Sequence, residues 1–284
     1  MKIAVTGATG QLGRLVINNL LGKTAPSEII AVVRNTEKAG AIADRGVEVR
    51  VAAYDDLPAL EAAFTGIDKV LLISSSEVGK RIAQHKNVID AAGKNAVKHM
   101  VYTSAPRATT TSLILAPEHK ATEENLLQSG LQYTILRNNW YTENYKSQID
   151  AARHTGALVA AVGDGRVASA TRADFAAGAA AVLLGEGHEG KTYELGGDRA
   201  WDYNELAKTI GEIIGKAVEY KPVDGATLSE HLKKAGLDAG TVGFLVALDA
   251  NIAAGALSEV TGDLSKLIGR PTTSLKQGLV DAIA

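Results

Sequence analysis

Lys2-Ile3-Ala4-Val5-Thr6-Gly7-Ala8-Thr9-Gly10-Gln11-Leu12-Gly13 decides how the rest of this 284-residue chain is read. Ile3-Ala4-Val5 is a short, uninterrupted apolar run, as expected for a strand buried on both faces of a parallel sheet. The run breaks at Gly7 and resumes as Leu15, Val16, Leu20 and Leu21, spaced as one face of a helix. A strand, a glycine turn and a helix in that order make a dinucleotide site possible. Gly7 allows the tight turn, Gly10 lets backbone approach a pyrophosphate, and Gly13 permits close helix–strand packing. The free N–H groups and dipole of the helix N-terminus favour the phosphate charge. The spacing is Gly-x-x-Gly-x-x-Gly, the short-chain dehydrogenase variant, not Gly-x-Gly-x-x-Gly. Three glycines alone would fit an ordinary turn; their place directly after a buried strand favours the cofactor.

Outward from there, strand-like and helical stretches alternate. Ile29–Val33 precedes a helical Thr36–Asp44, and Val47–Val51 precedes Leu57–Phe64. Lys69–Ser74 leads to Val78–Asn95, Lys98–Thr103 to Glu118–Gln128, and Gln132–Leu136 closes the series. Strands separated by helices imply an α/β fold, a doubly wound parallel Rossmann sheet with right-handed crossovers. Ligands of such sheets bind beyond the strands' C-terminal ends. A smaller, mostly helical C-terminal lobe is expected. Residues 1–140 would bind the dinucleotide, with later segments such as 163–195 contributing, and 141–284 would shape the substrate pocket.

Composition narrows the classes. Hydrophobic residues make up 46% and net charge is −2, ample for a core and too neutral to draw the chain to nucleic acid or membrane. Absence of cysteine excludes disulfides and thiolate chemistry. The six histidines show no metal-ligand spacing, so no metal is expected. The longest apolar run, around Ala173–Leu184, is far shorter than the ~20 residues of a membrane span. With a strand opening at residue 2, no signal peptide is expected and the location expected is cytoplasmic. A monomer and a homo-oligomer both stay open.

The second strand ends in Arg34. An acidic residue about 20 positions past the glycines would bind the ribose hydroxyl of NAD, whereas an arginine accommodates the 2′-phosphate of NADP. Arg34 therefore points to NADPH; the plainer alternative is a solvated loop residue. Ser74, Ser75 and Ser76 end the fourth strand, where one can cap a helix near Glu77 and another bind cofactor. Tyr102 and Ser104 bring polar groups to the end of the fifth strand, and Ala105–Thr111 reads as a flexible rim. None of the eight tyrosines has a lysine four residues on. The Tyr-x-x-x-Lys pair of alcohol–ketone chemistry is missing, so the acceptor must need little acid assistance or the cofactor is bound without turnover.

Arg137 to Tyr145, RNNWYTENY, joins the aromatic faces of Trp140 and Tyr141 to the amides of Asn138, Asn139 and Asn144. A nicotinamide or a quinone could stack there and be hydrogen-bonded without titratable groups. Alternatively Trp140 or Tyr145 is a core residue of a following helix. His119 is a possible proton donor or a surface helix residue. Val159–Gly165 reads as a turn between short strands. Ser169–Asp174 opens an Ala-rich helix over Phe175–Leu184, with Thr171 and Asp174 as capping candidates. Lys191–Leu195 and Val218–Lys221 read as strands, Tyr203–Ile214 as an amphipathic helix.

GATGQLG, VVRN, LLISSSEVG, VYTS, SGLQYTILRNNWYTENY and GDGRVASATRADFA together resemble NmrA-like atypical short-chain dehydrogenases. The resemblance covers essentially the whole chain and is nearest to the bacterial zinc-independent NAD(P)H:quinone oxidoreductase type, with triphenylmethane dye reductases as cousins. It implies NADPH as cofactor, hydride transfer to a small-molecule quinone, and no nucleic-acid or membrane partner. By position, Gly7, Ala8, Thr9, Gly10, Gln11, Leu12 and Gly13 would hold the pyrophosphate and Arg34 the 2′-phosphate. Ser74, Ser75, Ser76 and Tyr102 would line the cofactor. Asn138, Asn139, Trp140, Tyr141, Thr142 and Glu143 would wrap its nicotinamide end, with Ser169 contributed by the segment that closes over it. Asn144, Tyr141 and His119 are the implied catalytic residues. One departure is Ala52-Ala53 after the third strand, where relatives often carry an aspartate near the adenine; Asp56 reads there as a helix cap.

Overall fold

The computed structural model describes residues 1–284. In chain order, β1 (Ile3–Val5), α1 (Gln11–Leu21), β2 (Ile29–Val33), α2 (Gly40–Ala43), β3 (Glu48–Val51) and α3 (Leu57–Ala63) come first. Next are β4 (Lys69–Leu72), α4 (Arg81–Lys94), β5 (His99–Ser104), α5 (Ala116–Gln128) and β6 (Tyr133–Asn138). A 3-10 turn (Thr142–Tyr145) leads to α6 (Lys146–Thr155), β7 (Ala157–Ala160), β8 (Arg166–Val167), α7 (Arg172–Leu184) and β9 (Lys191–Leu195). The chain ends with β10 (Trp201–Asp202), α8 (Tyr203–Ile214), β11 (Glu219–Pro222), α9 (Gly225–Lys234), α10 (Ala239–Ala253), α11 (Asp263–Ile268) and α12 (Leu275–Ile283).

Two units divide it. The first comprises Met1–Thr109, Pro117–Asn138 and Arg172–Glu194; the second comprises Thr110–Ala116, Asn139–Thr171 and Leu195–Ala284. In the first, one sheet has the order β3-β2-β1-β4-β5-β6-β9. Val5 lies opposite Ala31 on one side and Leu71 on the other, both in parallel register. β1 and β2 are buried at every position, as the unbroken apolar runs require of strands covered on both faces. The doubly wound parallel sheet is therefore present.

Three details differ from the sequence-based expectations. The buried stripe of α1 is Leu12, Gly13, Val16, Ile17 and Leu20, while Leu15 and Leu21 are only half-buried. The helix expected over Thr36–Asp44 shrinks to α2, because Thr36, Glu37 and Lys38 are exposed and only Ile42 of the helix is buried. The strand Lys191–Leu195 is the seventh of the main sheet, so β6 is not at its edge. Gly190 N–H donates to Tyr133 O at 2.7 Å and Asn139 N–H to Leu195 O at 2.8 Å, so β9 runs in the same direction as β6. Its preceding helix, α7, packs on α1.

The second unit is mostly helical, with two small ribbons, β10–β8 antiparallel and β11–β7 parallel. Thus β7 and β8, joined through the Val162–Gly165 turn, do not pair with each other. Tyr145, Trp201 and Tyr203 form an aromatic core, with Tyr145 and Trp201 meeting edge-on at 5.0 Å between ring centres. Asp224 and Asp238 cap α9 and α10 through side-chain bonds to Thr227 and Thr241 N–H. No helix is long and apolar enough to cross a membrane.

Candidate functional site

The turn between β1 and α1 uses its glycines in three ways. Gly7 has φ +59°, the left-handed region that side chains disfavour. Gly13 lies so close beneath the turn that a Cβ there would be 2.4 Å from Gly7 O and 2.8 Å from Ala8 Cα. Gly10 is the exposed N-cap of α1, and a Cβ there would approach Gly7 O at 3.1 Å. Ala8 and Leu12 turn their side chains into the core, leaving Gly7 and Thr9 half-exposed and Gly10 and Gln11 exposed. Nothing in the first turn of α1 competes for a phosphate: no side chain caps it and no acidic residue lies there.

Beside this turn is the end of β4. Thr6 Oγ1 accepts Ile73 N–H at 3.2 Å, and its single proton serves either Leu71 O at 3.0 Å or Tyr54 Oη. Tyr54 Oη donates to Ile73 O at 2.8 Å and shares a 2.5 Å hydrogen bond with Thr6 Oγ1. A Cβ on Gly7 would be 3.6 Å from both Tyr54 Oη and Ile73 Cβ. Burial keeps the Tyr54 hydroxyl well above the usual phenol range, hence neutral. Thr6 and Tyr54 thus bind the turn to β4. Sequence reasoning passed over both, although Tyr54 lies two residues from Asp56, whose side chain does cap α3 through Ala59 N–H.

Past Ile73, Ser74 and Ser75 are half-buried and Ser76 exposed. Ser74 N–H donates to Thr103 Oγ1 at 2.9 Å. Ser75 Oγ accepts Glu77 N–H at 3.1 Å, the capping role, although α4 begins only at Arg81. Arg34, at the end of β2, exposes 76% of its side chain and pairs with Glu77 Oε1 at 3.4 Å. So open a pair is weak in water and leaves the guanidinium available to a stronger anion.

Three expectations need correction. Tyr102 is fully buried, its hydroxyl bonded to His119 Nδ1 at 2.7 Å, so its side chain does not line a ligand surface. His119 is a buried helix residue, and burial, with the Arg81 and His85 charges, lowers its pKa to about 3. It is neutral at physiological pH and is not an imidazolium acid. Nor is Ala105–Thr111 uniformly a loose rim. Ala105 and Ala108 are buried, and Arg107 N–H donates to Glu194 Oε2 at 3.0 Å. Arg137 bridges Glu194 to the buried Glu123 at 2.8 and 2.6 Å, and these bonds hold its pKa above the ordinary arginine value.

At the end of β6, Asn138 is 8% exposed and its Oδ1 has no hydrogen-bond partner. Buried amide oxygens left in this way are costly, and a ligand donor would satisfy it.

In the second unit, Asn139 is buried and spent on structure. Its Nδ2 donates to Leu257 O at 3.2 Å, and its Oδ1 accepts Trp140 N–H at 2.7 Å. Trp140, Tyr141, Glu143 and Asn144 are half-buried, whereas Tyr145 is the core aromatic. Tyr141 bridges to Ala170, and Asn144 N–H donates to Tyr141 O at 3.0 Å, so this segment is held by backbone. Thr142 and Ser169 are buried and share a 2.9 Å bond, while Ser169 Oγ also accepts Trp201 Nε1–H at 3.0 Å. That shared bond uses one of their two hydroxyl protons and leaves the other for a ligand acceptor.

The glycine turn, the uncapped α1 terminus and the orphaned Asn138 oxygen fit a bound dinucleotide. Comparison with known proteins agrees. Residues 7–185 match the NAD(P)H-binding family. Quinone oxidoreductase 2 of Escherichia coli is 49% identical over 277 residues, covering 98% of this chain and 97% of that protein. The crystal structure of the NADPH-dependent quinone oxidoreductase QOR2 from E. coli, complexed with NADPH, superposes with a TM-score of 0.96 at 48% identity, covering 99% of this chain and 100% of that one. The Citrobacter triphenylmethane reductase complexed with NADP(H) gives a TM-score of 0.95 at 42% identity, covering 99% of this chain and 100% of that one. From the glycine turn to the last helix, the chain belongs to the NAD(P)H-binding, NmrA-like family of atypical short-chain dehydrogenases.

Proposed function

We propose that this chain is an NADPH-dependent oxidoreductase that reduces quinones without metal or flavin. The observation that carries the reading is the Gly7–Gly13 turn. Its 2.4 Å clearance at Gly13 excludes any side chain, and the helix terminus above it is left free of acidic and capping groups. With Ala8 and Gly10 N–H given to Val32 O and Gly7 O, the other backbone N–H groups between Gly7 and Leu12 meet the pyrophosphate, and Arg34 the 2′-phosphate. Residues 1–140, with 163–195, serve the nucleotide, and 141–284 the acceptor. Near-full-length likeness to E. coli quinone oxidoreductase 2 supports the acceptor class.

Bound there, NADPH supplies a hydride from its reduced ring. The protein's part is to hold donor and acceptor in register, since positioning alone can supply much of the acceleration. In the second unit Trp140 and Tyr141 offer stacking faces and Asn144 an amide for a carbonyl; in the first, the Asn138 oxygen is left for a carboxamide donor. With His119 neutral, protons come from water; quinones accept hydride readily, so the missing Tyr–Lys pair is tolerable.

The test is NADPH oxidation with a simple benzoquinone or naphthoquinone. Turnover well above the uncatalysed rate is expected. NADPH bound without turnover would overturn the enzyme reading and favour an NADP(H)-sensing regulator. A second reading, reduction of triphenylmethane dyes, is favoured by the 42% identity to the Citrobacter reductase. Decolourisation faster than quinone reduction would support it.

A further inference from the structure

We propose that His85 is a positioning residue that fixes the Ser74–Glu77 loop for the cofactor by holding the Ser75 main chain. This rests on the NADPH reading above. The loop directly follows Ile73, which abuts Gly7 of the glycine turn, and it lies beyond the C-terminal end of β4, where doubly wound sheets take their ligands.

His85 is fully buried on α4. Its Nε2 accepts Ser75 N–H at 2.9 Å, so the neutral ring must carry its proton on Nδ1. Nδ1 lies 2.9 Å from Thr122 Oγ1, and the Thr122 hydroxyl donates to Glu118 O at 2.8 Å. The polar chain therefore has one direction, from imidazole to hydroxyl to carbonyl, ending on α5. One turn earlier on α4, Arg81 Nε donates to Ser75 O at 2.6 Å. Arg81 is itself 8% exposed, with Glu118 Oε2 3.7 Å from its Nη1. Ser75 is thus gripped at both N–H and C=O by two residues four apart on one helix face. Burial and the Arg81 charge keep the ring neutral, with a pKa lowered to about 3.

Side-chain length gives the test. Asparagine at 85 reaches only the place of Nδ1 and keeps the Thr122 contact; glutamine reaches the place of Nε2 and keeps an acceptor for Ser75. In the cofactor-free protein, ¹⁵N NMR should find the His85 proton on Nδ1, and Ser75 N–H should exchange slowly. In His85→Asn that exchange should accelerate at least tenfold. The dissociation constants of NADPH and NADH should both rise by the same factor, about tenfold, the loss of one buried hydrogen bond. The KM for NADPH should rise with the dissociation constant while kcat at saturating NADPH is retained, and His85→Gln should restore affinity and protection. Slow Ser75 exchange and unchanged affinity in His85→Asn would overturn the proposal, as would equal weakening in both variants accompanied by equal loss of thermal stability. Wild-type protein that takes up no NADPH would sink the proposed function and the cofactor part of this proposal together. Normal uptake by both wild type and His85→Asn would sink the His85 role alone.

Discussion

Two neighbouring loops of the first unit are built by opposite means. The turn after β1 holds its shape through backbone: a left-handed Gly7 and a Gly13 with no room for a side chain. The loop after β4 holds its shape through side chains reaching in from α4 and β5, namely His85, Arg81 and Thr103. The first is local, so its requirements are written in consecutive residues. The second is assembled from positions 10 and 29 residues away from the serines it holds. Sites that depend on glycine are intolerant of any change, whereas sites that depend on a clamp are tunable.

The largest effect separating the two should come from Gly13→Ala. Its methyl would face backbone atoms at 2.4 and 2.8 Å, which cannot yield as a side-chain tip could. A loss of about 3 kcal/mol in unfolding free energy is expected, at the upper end for overpacking. NADPH affinity should fall by an order of magnitude or more. A variant with wild-type Tm and cofactor affinity would break the claim that the turn is sterically closed. Gly10→Ala, with its 3.1 Å approach, should be milder in both assays.

Next in size is Arg34→Ala. If the exposed guanidinium meets the 2′-phosphate, its removal should weaken NADPH by about tenfold, the worth of one charge-assisted contact, and leave NADH unchanged. Titration of both nucleotides checks this; an unaltered NADPH preference would remove Arg34 from the site.

Acid stability probes the side-chain layer. His85 and His119 have folded pKa values of about 3 against 6.5 when free. Because the folded values are lower, the unfolded chain binds more protons between those limits. Stability is intact above pH 6.5 and falls as pH drops through that window, each histidine adding about 1.4 kcal/mol per pH unit well below 6.5. His119→Gln should make the fall of Tm between pH 6.5 and 4 shallower. Parallel curves for variant and wild type would contradict the buried, neutral state of His119.

The smallest effect expected is Tyr54→Phe. It deletes the hydroxyl that ties Thr6 to the Ile73 carbonyl, at a cost of about 1 kcal/mol, with a modest loss of NADPH affinity. Urea unfolding and cofactor titration would show it, and an unchanged midpoint would reduce Tyr54 to bystander status.

How much could be read in the sequence follows the same division. β1 and β2 are legible because burial on both faces demands unbroken apolar runs, and both appear at the expected residues. So does α8, whose Leu206, Ala207 and Ile210 form a clear stripe. α2 is shorter than expected because Glu37 and Lys38 have helical propensity but, like Thr36, nothing to bury against. β9 was visible as a strand, but its partner β6 lies some fifty residues earlier, and pairing at that range leaves no local trace. Tyr102 shows the same limit: a polar residue at a strand end, it puts its side chain into the core, and its partner is on α5. His85 did leave a signal, sharing one helical stripe of α4 with Arg81, Gln84, Val88 and Ile89. Polar residues on an otherwise apolar face must find buried partners. Ser75 was the partner, and only the folded chain brings it within reach.

Calorimetric titration of the purified chain with NADPH and, separately, NADH bears most directly on the whole account. One NADPH per chain, bound more tightly than NADH, is the expected result. No heat of binding, or a preference for NADH, would contradict it.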